Sequence, residues 1–213
     1  MTGRLLSIQV GLPAAHRDPG DEKVWRTAFW KKPVEGPVWL GKTNLVGDGQ
    51  AAVGIHGGPD KAVLGYAASH YPLWRAELGW DDLGFGAFAE NFTLEGLSEN
   101  SVCLGDVYAV GDAVVQVSQP RSPCWKIARR WRMPDLTERV EVTGRTGWYH
   151  RVLDEGLVEA GQPFTLLERP HPEWSIARVA ATARNRKADP AAAAELRAVP
   201  ELSSAWRQGL ASA

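Results

Sequence analysis

Val107-Tyr108-Ala109-Val110-Gly111-Asp112-Ala113-Val114-Val115-Gln116-Val117 is the stretch on which the fold turns. Runs rich in β-branched and aromatic residues stand on either side of a Gly-Asp break, and such runs prefer extended backbone. The same texture recurs on both sides. Leu5-Leu6-Ser7-Ile8-Gln9-Val10 partly alternates, Val38-Trp39-Leu40 precedes Gly41, and Phe92-Thr93-Leu94 ends at Glu95-Gly96. Phe164-Thr165-Leu166-Leu167 closes the series. Short strands punctuated by Gly and Asp predict a mainly β fold, an antiparallel barrel or sandwich, over residues 1–168.

Helices interrupt this region, so the class is α+β. Val63, Ala67, Tyr71, Trp74 and Leu78 recur at helical spacing, with Pro72 expected to kink or divide the helix. Ala52 to Ile55 reads as a strand leading to it. Asp135-Leu136-Thr137-Glu138 has the form of a capping box, with Gly144 as the stop. Beyond Glu168, Arg169-Pro170-His171-Pro172 reads as a linker. Three short helices are expected near residues 175–185, 190–198 and 201–210, with Asp189 as N-cap and Pro190 at N1. Residues 169–213 make a poor core alone and should dock on the β domain.

The chain has 213 residues, 44% hydrophobic and 23% charged, the balance of a soluble globular protein. Its formal net charge of −1 gives no general attraction for a nucleic-acid polymer or an anionic membrane, so any anion site must be local. No run approaches a membrane span, and Met1 to Ser7 lacks a signal-peptide core. Two cysteines in a chain this long suggest reduced thiols and a cytoplasmic location. Most of the ten tryptophans should anchor cores.

Gln119-Pro120-Arg121-Ser122-Pro123-Cys124-Trp125-Lys126 carries the most chemistry. Ala113 to Val117 reads as a strand leading in and Trp125 to Met133 as a helix leading out. The prolines forbid regular structure on the approach. Cys124 then sits in a strand-to-helix turn, where Arg121, Lys126 and the helix N-terminus favour a thiolate. A thiolate is both a nucleophile and a soft metal ligand; a buried structural cysteine is the alternative. His56-Gly57-Gly58-Pro59-Asp60-Lys61 reads as an anion-holding turn before a helix, or as an ordinary Gly-rich turn. His56 is a ligand, a base or a hydrogen-bonding support. Asn91 suits a heterocycle edge or a strand cap. Arg145 and Arg151 either hold phosphate or lie on a solvated face. Cys103, among apolar neighbours, reads as core.

Five segments in order resemble the MOSC-domain family: His56 to Val63, Glu90 to Thr93, Gly105-Asp106, Gln119 to Lys126 and Gly147-Trp148-Tyr149. The order and spacing fit its bacterial YiiM-like branch, the 6-hydroxylaminopurine-resistance type with a C-terminal three-helix domain. The resemblance implies a MOSC β-barrel over residues 1–168 and a three-helix domain over 169–213. It also implies a molybdenum cofactor of the molybdopterin type, with Cys124 as protein ligand to the metal. His56, Gly57, Gly58, Lys61, Asn91, Arg121 and Lys126 are the residues it places around the cofactor. The implied reaction reduces the N–O bond of N-hydroxylated bases, amidoximes or hydroxylamines, a detoxification, with His56 and Tyr149 as proton relays and Asn91 near the metal or pterin.

The chain shows no flavin fingerprint and no iron–sulfur cysteine cluster, so a separate flavoprotein reductase is the expected electron donor. The resemblance also leaves a second activity open, sulfur or cofactor carriage on Cys124. Some members of the wider family are linked with pyridoxal phosphate, but no lysine context here suggests a Schiff base. One departure shows: the family often has Phe-Gly-Glu-Asn, where this chain has Phe88-Ala89-Glu90-Asn91. If that position needs a positive φ, Ala89 is strained.

Overall fold

The computed structural model describes residues 2–18, 20 and 23–211. Seven strands close a barrel in the order β12 (Pro163–Glu168), β8 (Val107–Val110), β9 (Ala113–Pro120), β10 (Trp148–Asp154), β6 (Val63–Ala67), β7 (Phe92–Glu95) and β1 (Thr2–Val10), and β1 pairs back onto β12. Closure removes the open edges that a sandwich leaves. Outside the barrel, β2 (Ala14–Arg17) and β3 (Val24–Thr27) pair with each other, β4 (Lys32–Pro33) extends the end of β1, and β5 (Val38–Leu40) pairs with β11 (Gly156–Val158). The β8–β9 hairpin turns on Gly111 at φ +54°, where an added Cβ would lie 2.3 Å from the Leu157 carbonyl oxygen. Only glycine fits that turn. The interior is filled by Leu5, Ile8, Phe92, Leu94, Val115, Val117, Trp148 and Phe164, all fully buried.

The 63–78 pattern divides into two elements. Val63 to Ala67 is a wholly buried strand completing the barrel between β10 and β7, and the helix α2 (His70–Leu78) starts only afterwards. Residues of a buried strand are apolar at every position, so they satisfied the helical spacing by accident. Pro72 lies in the first turn of α2, where its missing N–H loses no partner, and it does not divide the helix. This helix also explains why β6 and β7 are parallel: a parallel pair needs a crossover.

Ala52 to Ile55 is not a strand. Val53–His56 forms a single helical turn, α1, with Val53 and Ile55 exposed and no strand beside it. It leads to a 3-10 turn, Pro59–Lys61, and then to β6, so no long helix N-terminus follows the glycines. Pro120 ends β9 opposite Trp148 instead of breaking it. The helix after Cys124, α3, is shorter than expected (Lys126–Trp131) and stops at Arg132, whose φ is +50°. Helix α4 (Leu136–Thr143) ends at left-handed Gly144 as the sequence requires, but the capping box does not form: Asp135 is helical and its carboxylate accepts from Arg139 Nε at 2.7 Å.

Three helices follow, α5 (Ile176–Arg184), α6 (Pro190–Ala198) and α7 (Ser204–Ala211). Asp189 caps α6 by accepting from Ala192 N at 3.0 Å. They share a small core of Trp174, Val179, Leu196, Leu202 and Leu210 that takes in Leu104 from the barrel. Arg169 grips the buried Asp106 carboxylate through Nε at 2.8 Å and Nη2 at 2.7 Å, and Ser203 N donates to the Ser118 carbonyl of β9 at 3.0 Å. The helices therefore dock on the barrel. No helix among the described residues is long and apolar enough to cross a membrane. Only four tryptophans, Trp25, Trp74, Trp148 and Trp174, are fully core; Trp39 and Trp125 are exposed.

Ala89 adopts φ +65°, the left-handed conformation that glycine holds without penalty. Ala89→Gly should therefore raise the urea midpoint, a gain on the order of 1 kcal/mol. An unchanged or lowered midpoint would show that the loop carries no such strain.

Candidate active site

A cleft of about 640 Å³, its open mouth included, lies where the end of β9 and the Cys124 turn face the segment between β3 and α1. Its lining includes His56, Lys61, Asn91, Arg121, Cys124, Lys126 and Tyr149. Gly57 and Gly58 do not line it; they form the turn behind His56, with Gly58 at φ +93°. Cys124 is half-buried, ahead of α3, and its carbonyl accepts from Ile127 N at 3.1 Å. Cys103 is buried, its thiol 3.5 Å from the Pro172 carbonyl, and burial pushes it above the usual thiol range. The two cysteines thus divide into one core thiol and one facing the cleft.

The cleft is cationic. Lys31, Lys61, Arg121 and Lys126 line it with His56, and among the described residues no carboxylate lines it. Arg121 is 6% exposed. Its guanidinium has no hydrogen-bond or ion-pair partner among the described residues, and Nη1 is sealed from solvent. A buried charge without a partner is strongly unfavourable, so such a group marks a place for an anion. Lys61 Nζ donates to the Ile55 carbonyl at 2.5 Å, and Lys126 Nζ to the Arg26 carbonyl at 3.1 Å, which aims both along the rim. Burial, then Lys126, Arg121 and Lys61, hold His56 below its ordinary range, so it is neutral at pH 7. Burial holds the Tyr149 phenol above its ordinary range, and it stays protonated.

Asn91 lines the cleft, but its amide is engaged by the protein. Oδ1 accepts from Leu64 N at 3.1 Å, and Nδ2 donates to the Gln9 carbonyl at 3.1 Å and to Asp48 Oδ2 at 2.9 Å. Both amide hydrogens are taken, so the expected contact with a heterocycle edge is replaced by a brace between β6, β1 and Asp48. Arg145 and Arg151 are instead engaged by carboxylates: Arg145 Nη2 donates to Glu77 Oε1 at 2.6 Å, and Arg151 Nε to Asp60 Oδ1 at 2.9 Å.

Sequence reading missed the opposite wall, Thr27, Phe29, Lys31 and Gln50, with Asp48 behind it. Lys31 sits in Lys31-Lys32, which reads as a solvated pair, yet it is buried and ion-paired with the fully buried Asp48 carboxylate. It is the lysine in an enclosed setting that the sequence did not reveal, and burial and the Asp48 ion pair act on its ammonium in opposite directions. The neighbouring Gly47-Asp48-Gly49 has the composition of a turn and carries no local sign of an inward-facing carboxylate.

The sequence profile of the MOSC domain matches residues 53–165, more than half of the chain. The chain belongs to the MOSC-domain family. A second profile, "YiiM-like, 3-alpha helix domain", matches residues 174–211. YflK of Bacillus subtilis (strain 168) is 46% identical over 165 residues, 78% of this chain and 73% of that protein. A Gibberella moniliformis protein named "Reductase" is 42% identical over 163 residues, 75% of this chain but 29% of its own length. The crystal structure of YiiM from Geobacillus stearothermophilus superposes with a TM-score of 0.83 at 37% identity, covering 99% of this chain and 98% of that one. MOSC domains are associated, as a family, with binding of the molybdenum cofactor. The Lys31 wall precedes the residues matched to the MOSC profile, yet it closes the same cleft.

Arg121→Met removes an uncompensated buried charge while keeping the backbone bond from residue 121 N to the Gly147 carbonyl. The variant should unfold at higher urea than the wild type, by roughly 1–3 kcal/mol, and should lose any stabilisation by inorganic phosphate. A less stable variant, or one still stabilised by phosphate, would show that Arg121 is neither strained nor anion-facing.

Proposed function

We propose that this MOSC-domain protein is a molybdenum-cofactor-dependent reductase of N-hydroxylated compounds. The observation that carries the reading is the pairing, in one cleft, of a half-buried thiol with a buried guanidinium that has no partner among the described residues. The residues fit the cofactor. Among the described residues no cluster of three His, Cys, Asp or Glu exists to cage a bare ion. A single protein sulfur suits a metal that arrives with its remaining ligands, and a soft thiolate suits molybdenum in a sulfur-rich set. The four cations suit a ligand with phosphate and other anionic parts.

In this reading Cys124 holds the metal, and Arg121, Lys61 and Lys126 hold the anionic portion. His56, neutral at pH 7, accepts or relays a hydrogen bond, and Tyr149 offers a phenolic proton. Bound there, the cofactor supplies two electrons to the N–O bond. Phe29 and Leu64 give the cleft apolar wall for a planar amidoxime or a hydroxylamino base. Electrons come from a separate flavoprotein, because two cysteines cannot ligate an iron–sulfur cluster. The "Reductase" relative, in which the matched segment is 29% of the length, leaves room for such electron-delivering parts in one chain.

The test uses protein from a host that makes the cofactor, reduced methyl viologen as donor and benzamidoxime as substrate. Wild type should form benzamidine, and Cys124→Ser, folded by circular dichroism, should not. Full activity in Cys124→Ser would remove the thiol from the chemistry. A stoichiometric cyanide-labile sulfur on Cys124 in an inactive wild type would favour the sulfur-carrier reading instead.

A further inference from the structure

We propose that Lys31 is the proton donor of the cleft, delivering a proton to the substrate as its N–O bond breaks; this rests on the reductase reading above. The ammonium has three N–H bonds, and among the described residues its recorded acceptor is a single one, Asp48 Oδ1. The side chain is 7% exposed and Lys31 lines the cleft, and the proposal assigns its other hydrogens to a ligand bound there. Asp48 is itself immobile. Its side chain is fully buried, Oδ1 also accepts from Gly11 N at 2.8 Å, and Oδ2 accepts from Asn91 Nδ2 at 2.9 Å. The carboxylate orients the ammonium without being free to take its place.

The other cleft groups suit the role less well. His56 is neutral and has no acidic proton of the imidazolium kind to give. The Tyr149 phenol is pushed up by burial. Arginine does not deprotonate. Burial lowers the Lys61 ammonium too, with Asp60 opposing, but Lys61 is tied to the Ile55 carbonyl at the exposed rim. Burial lowers the Lys31 ammonium from its ordinary range, the nearby Asp48 and Glu90 charges oppose this, and Arg121 adds to it. A lowered ammonium gives up its proton more readily near neutral pH. Lys126 lies across the cleft at the rim, bonded to the Arg26 carbonyl.

An N–O bond breaks, the substrate gains two electrons from the external reductant and two protons, and the products are the amine or amidine and water. Lys31 gives one proton and solvent the other; Lys31 is then reprotonated from solvent.

The experiment compares wild type, Lys31→Arg and Lys31→Ala in viologen-driven benzamidoxime reduction, with molybdenum content measured for each. Lys31→Arg keeps the positive charge and the Asp48 pair, so a purely structural lysine predicts normal folding and turnover. The proposal expects Lys31→Arg to fold and load metal yet lose about 10²-fold or more in turnover. It also expects Lys31→Ala to recover rate on addition of methylammonium or ethylammonium. If Lys31→Ala fails to fold because Asp48 is left bare, the Lys31→Ala/Asp48→Asn pair takes its place in the rescue. As a readout independent of turnover, the ¹³C-dimethylated Lys31 resonance of wild type should titrate below those of the surface lysines. Wild-type rates in Lys31→Arg, or a Lys31 resonance that titrates with the surface lysines, overturn the proposal alone. Absence of turnover in loaded wild type overturns the reductase reading, and this proposal with it.

Discussion

A buried guanidinium without a counter-charge among the described residues governs the rest of this molecule. Arg121 follows directly on β9, its backbone N–H bonded to the Gly147 carbonyl across from β10. The barrel therefore fixes where the charge goes, and it goes into a cleft that already holds Lys31, Lys61 and Lys126. Folding alone gains nothing from that arrangement, since each unpaired charge opposes burial. Such strain persists when a ligand relieves it, and the strongest relief is an anion held by several donors at once. Cys124, three residues on, shares the cleft because Pro123 and the start of α3 turn the chain back across its mouth.

Two braces keep this wall in place. On one side Asn91 ties β6, β1 and Asp48 together, and Asp48 in turn holds Lys31. On the other side the C-terminal helices reach the turn that carries His56 and Lys61. Asp60 receives Arg151 Nε at 2.9 Å and Ser204 N at 3.3 Å, while its carbonyl accepts from Ser118 Oγ at 2.6 Å. Arg151 Nη2 also donates to the Glu201 carbonyl at 2.9 Å. The three-helix segment is thus hydrogen-bonded to the back of the cleft, in addition to its own core.

Much of this was legible in the sequence. The hairpin around Gly111-Asp112, the turn at Cys124 and the helix cap at Asp189 each depend on local chemistry, and local chemistry is what a sequence displays. The positive φ at Ala89 was flagged by a single departure from a family pattern, and the structure holds it at +65°. Val63 to Ala67 was misread because a fully buried strand has no alternation to separate it from a helix; only its pairing with β10 and β7 decides. Arg145 and Arg151 were misread because their partners, Glu77 and Asp60, lie 68 and 91 residues away. Lys31 and Asp48 were invisible for the same reason: a lysine beside another lysine, and an aspartate between glycines, look solvated until β1 and the loop before α1 close over them.

The most direct test of the cleft's purpose is the molybdenum and pterin content of wild type and Cys124→Ala, both purified from a host that synthesises the cofactor. The account requires near-stoichiometric metal and releasable pterin in the wild type, and loss of the metal in a variant that remains folded. Equal metal in both proteins, or neither metal nor pterin in either, would contradict it.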